Sequence, residues 1–92
     1  MKDILLKWMD QADLSGEPVP GMPLVEIAGD KRVLIENHRG VTQYSGQQIG
    51  VRVEYGTLQI HGCGLELRQM TKDRLVIAGR IDDITLCRRI KG

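Results

Sequence analysis

Phenylalanine is absent from this 92-residue chain, and the aromatic complement is Trp8, Tyr44 and Tyr55 alone. A core anchored on large rings is therefore excluded, and Leu, Ile and Val must fill the interior. The same scarcity removes the stacking platform that single-stranded nucleic acid requires. Neither sign of charge dominates: 13 basic residues face 12 acidic ones, for a net charge of +1. So small an excess gives no overall field to hold nucleic acid or an anionic bilayer. Two cysteines, Cys63 and Cys87, are too few for a disulfide scaffold, and no secretory signal is recognisable. The expectation is a cytoplasmic protein with reduced thiols. No apolar run approaches a membrane span, since Lys7 interrupts Ile4-Leu5-Leu6. Prolines are confined to positions 18, 20 and 23.

What is present divides the chain into three parts. Met1, Ile4, Leu5, Trp8, Met9 and Ala12 fall on one stripe at helical spacing, so residues 1–16 are expected to form an amphipathic helix ending near Ser15-Gly16. Asp10 and Asp13 stand at the wrong end of that helix for its dipole, so it needs something to pack on. Packing on its own domain or on a partner protein suits it best. A membrane surface is the alternative, although a polar face of two Lys and three Asp lacks the usual basic character. Residues 17–23 hold every proline and read as a linker. From Leu24 onward apolar positions alternate with polar ones, the period of half-buried strands.

Strands are expected over Leu24–Ala28, Lys31–Glu36 and Val41–Ser45, and again from Ile49 to Tyr55, where Ile49, Val51, Val53 and Tyr55 alternate most clearly. Thr57–His61, Leu65–Arg68, Arg74–Ala78 and Ile84–Arg88 complete about eight short strands. Gly62-Cys63-Gly64 and Asp82-Asp83 read as turns among them. Connections this short exclude parallel crossovers. The expectation is an all-β, mostly antiparallel domain over residues 24–92, a sandwich or partly open barrel. An open sheet with a helix on one face is the alternative. A β-solenoid finds no fixed-period repeat to support it.

Residues with chemical potential are few. His38, with Glu36 two positions before it, could act as a general base, but spacing identifies no nucleophile and a turn histidine explains it better. His38, His61, Cys63 and Cys87 could in principle surround zinc, but their spacing matches no finger or ribbon and the chain has no Cys-x-x-Cys. The eleven glycines include neither a dinucleotide fingerprint nor a phosphate loop. Adjacent Asp82 and Asp83 would point to opposite faces of a strand. Residues 1–40 carry five basic and seven acidic groups, residues 41–92 eight and five. Arg88-Arg89-Ile90-Lys91 is the one basic cluster and reads as a solvated end. No catalytic residue, metal site or cofactor is assigned.

One set of segments is less generic. Ile35-Glu36-Asn37-His38-Arg39-Gly40-Val41 is followed by Tyr44-Ser45, by Gly56-Thr57-Leu58-Gln59-Ile60-His61-Gly62, and by Leu75-Val76-Ile77-Ala78-Gly79-Arg80-Ile81. This pattern resembles the YabP/YqfC family of sporulation proteins, the YqfC branch in particular. The likeness covers about residues 22–86; Glu26 replaces a small polar residue and Arg80 a lysine. The resemblance implies a role in endospore formation in the mother cell, with no established enzymatic activity. The chain is thus expected to be a non-enzymatic assembly or interaction module, binding a protein partner or itself. A peripheral membrane adaptor at the forespore surface, using the N-terminal helix, is the alternative. Asn37, His38, Arg39, Gly40 and Trp8 are the candidate interaction residues.

Overall fold

The computed structural model describes residues 21–89. Six strands make up the fold: β1 (Leu24–Ala28), β2 (Arg32–Glu36), β3 (Val41–Tyr44), β4 (Gln48–Val53), β5 (Gly56–Met70) and β6 (Arg74–Arg88). They form one open antiparallel sheet in the order β1-β2-β6-β5-β4-β3. The all-β, antiparallel expectation holds. The expected N-terminal helix with Trp8, and the expected linker up to residue 20, lie outside the described residues.

The number of strands differs from the expected eight because two anticipated turns are not turns. The Thr57–His61 and Leu65–Arg68 segments join into β5, and Arg74–Ala78 and Ile84–Arg88 join into β6. Between their halves the β5–β6 register slips at His61/Gly62 and at Cys63/Glu66. Extra residues bulge out there, bending the pair while pairing continues on either side. Glycine marks the place because the backbones touch. A Cβ on Gly62 would lie 1.9 Å from the Arg80 carbonyl oxygen, and one on Gly79 would lie 2.6 Å from that of Gly64. Read in sequence, Gly62 and Gly64 look like a chain reversal and Gly79 like a bend or continuation of its strand; in the fold they allow two long strands to bend together.

The bend lets one sheet enclose its own core. β2 lies beside the first part of β6, and β4 beside the first part of β5. From these two regions Val33, Ile35, Leu75 and Ile77 meet Ile49, Val51, Val53, Leu58 and Ile60 in a single cluster, with Leu65 and Ile81 at the bend. Each fully buried aliphatic side chain contributes roughly 1.5–3 kcal/mol relative to exposure. The alternation read between Ile49 and Val53 is the core face of β4; Tyr55 falls beyond that strand and is exposed. Among the described residues, no helix is long and apolar enough to cross a membrane.

Candidate interaction site at the Asn37–Gly40 corner

The Asn37–Gly40 segment carries the chain from one side of the core to the other. Up to Glu36, β2 pairs with β6, and Glu36 stands opposite Arg74 with a 2.7 Å ion pair between their side chains. Asn37 prolongs that ladder by one bond, its N–H donating to the Asp73 carbonyl at 2.6 Å. Two residues later the partner is β4: Arg39 N–H donates to the Arg52 carbonyl at 2.7 Å, and Arg52 N–H to the Gly40 carbonyl at 2.8 Å. The motif is the corner between two ladders.

Backbone conformation explains two of its residues. Asn37 has φ of 64°, the left-handed region that asparagine tolerates better than most residues. Its side-chain amide donates to the Met22 carbonyl at 2.8 Å, tying the approach to β1 against the corner. Gly40 has φ of 117°, which residues with a Cβ rarely adopt.

His38 fills the inside of the corner. It is 8% exposed, the one buried polar or charged side chain among the described residues. The Gly40 N–H donates to Nδ1 at 3.0 Å, so Nδ1 is an acceptor and the ring proton sits on Nε2. Nε2 then donates to the Thr71 carbonyl at 2.9 Å, in the β5–β6 turn. Both ring nitrogens are engaged by backbone, and the imidazole braces two turns that are 33 residues apart in sequence. Arg39 alone turns its charge outward, 3.8 Å from Glu54 across an exposed pair that contributes little.

The corner borders a polar cleft of about 430 Å³ whose lining includes Glu36, Asn37, Thr71, Asp73 and Arg74. The other histidine lies elsewhere: His61 Nδ1 is 2.7 Å from Asp83 on an exposed surface. Cys63 stands opposite Arg80 and Cys87 opposite Thr57. Among the described residues, no three His, Cys, Asp or Glu side chains are grouped to hold a metal ion. Asp82, through a side-chain hydrogen bond and its charge, raises the pKa of the Arg80 guanidinium, with a smaller contribution from Cys63. The sequence marked the corner but not its brace, because residue spacing carries no sign that His38 would meet Thr71.

The model of the YabP family matches residues 22–91, which include all six strands and the whole corner. The chain belongs to the YabP family. A relative from Bacillus subtilis (strain 168), named "Uncharacterized protein YqfC", is 22% identical over 82 residues, covering 88% of each chain. No solved structure matches significantly. YabP family membership suggests a sporulation-related protein.

Proposed function

We propose that the chain is a non-enzymatic sporulation factor that acts in the mother cell as an assembly or interaction module, and that it engages its protein partner by strand addition at β1. The observation carrying this reading is the state of the sheet's two edges. β3 is guarded: it has four residues, its register slips between Val41 and Gln43, and Thr42 and Gln43 are polar. Such features blunt an edge against further pairing. β1 is regular through all five residues and carries one charge, Glu26. Its outer backbone groups meet no strand among the described residues.

The side chains of β1 support the same use. Ile27 stands opposite Val33, which is wholly buried, so Ile27 points to the core side of the sheet. It nevertheless remains 56% exposed. An added strand would satisfy the free backbone groups and cover this residue together, the usual economy of β-augmentation. His38 supports a non-catalytic reading, because both of its nitrogens are committed to the chain's own backbone.

The test compares the wild-type chain with Ile27→Lys, a charge of the kind that protects natural edges. Sedimentation equilibrium over a wide concentration range separates self-association from binding to another protein. Wild-type association, or a complex recovered from sporulating cells, should be lost in the variant at unchanged thermal stability. An Ile27→Lys chain that assembles as the wild type does would refute strand addition at β1.

A further inference from the structure

Eight arginines lie among the described residues, and their ion pairing is uneven. Arg39, Arg68, Arg74 and Arg80 each have a carboxylate within 4.0 Å. Arg32, Arg52, Arg88 and Arg89 have none in that range among the described residues. Three of those four line one cleft of about 440 Å³, together with Thr57 and Cys87. The register places part of this lining on one face, whereas Arg88, opposite Gly56, projects from the other side of the strand. Arg52, Thr57 and Cys87 stand side by side on β4, β5 and β6, in a row on the face away from the core.

The two remaining arginines are held in place by neutral groups. Arg89 N–H donates to the Tyr55 carbonyl at 2.9 Å, and its guanidinium donates to the Glu54 carbonyl at 2.9 Å. The Arg88 guanidinium lies 5.3 Å from the centre of the Tyr55 ring. The nearby Glu54 carboxylate faces Arg39. Among the described residues, the cleft thus presents arginines with no carboxylate within 4.0 Å, Arg89 being fixed by backbone carbonyls. Although the whole chain carries a net charge of only +1, screening confines each charge to roughly 8–10 Å in physiological salt. What a ligand meets is the local cluster.

We propose that the Arg52–Arg88–Arg89 cleft binds a phosphate-bearing anion. Guanidinium forks match phosphate oxygens, and a phosphate monoester carries about −1.5 to −2 charges, closer to what more than one arginine requires than a single carboxylate supplies. The Thr57 hydroxyl adds a neutral donor to the same wall. The site is separate from the β1 edge and stands or falls independently of strand addition there.

The two free cysteines provide an internal comparison. Both are exposed, Cys87 lining the cleft and Cys63 lying outside it. Alkylation of each thiol in the full-length reduced chain is followed by mass spectrometry, with added inorganic pyrophosphate or with vesicles of phosphatidylglycerol or phosphatidylcholine. Pyrophosphate or phosphatidylglycerol vesicles should slow alkylation of Cys87 about threefold or more and leave Cys63 unchanged. Protection by pyrophosphate alone identifies a soluble phosphate ligand; protection by anionic vesicles alone identifies a lipid headgroup. Arg52→Gln/Arg88→Gln/Arg89→Gln should abolish protection, whereas Arg32→Gln should keep it. Absence of protection by either probe in the wild type, equal slowing of Cys63, or protection retained in the triple variant would overturn the proposal.

Discussion

His38 shows how one side chain can carry a corner. Its ring satisfies a donor at Gly40 and an acceptor at Thr71, and removing it leaves both backbone groups without their partner. An unmade buried hydrogen bond costs about 1–3 kcal/mol. His38→Ala is therefore expected to lose roughly 2–4 kcal/mol, lowering the melting temperature of a domain this size by about 10–20 °C. Urea denaturation checks it; a loss below about 0.5 kcal/mol would mean that the ring braces nothing. Gly40 tests backbone conformation separately from contacts. A Cβ there meets nothing within 4 Å, so Gly40→Ala measures strain at φ of 117° alone, with an expected cost of about 1–3 kcal/mol. Asn37→Gly relieves the strain at its position but gives up the bond to Met22, so it should fall within about 1 kcal/mol of the wild type.

At the scale of elements, the bend in β5 and β6 gives the sheet its two sides. Gly62→Ala would force a methyl group into the Arg80 carbonyl, backbone against backbone, where no side chain can yield. The variant should lose cooperative folding or melt far below the wild type. A native-like melt would show that the paired strands do not approach so closely at the bend. This is also where the sequence was hardest to read. Alternation located the strand segments to within about two residues, because Val33 and Ile35, or Ile49 and Val51, sit at period two wherever one face is buried. It could not distinguish a glycine that reverses the chain from one that lets two strands cross closely. Both leave the same mark in one dimension. The corner was legible as a turn, since Asn37 and Gly40 are residue types that accept positive φ. Its brace was not, because the contact with Thr71 depends on tertiary pairing.

For the whole molecule, the unequal edges matter most. An open sheet of six strands must end twice, and this one ends once on a short, irregular, polar strand and once on a regular strand with an uncovered isoleucine. Membership of the YabP family suggests a link to sporulation, and the proposed strand addition at β1 would give that link a physical form. The most direct measurement is the yield of heat-resistant spores from cells whose sole copy carries Ile27→Lys, with chain abundance and melting temperature measured alongside. Strand addition at β1 predicts a stable, normally abundant protein and a drop in spore yield of tenfold or more. A wild-type yield from the same stable variant would contradict it.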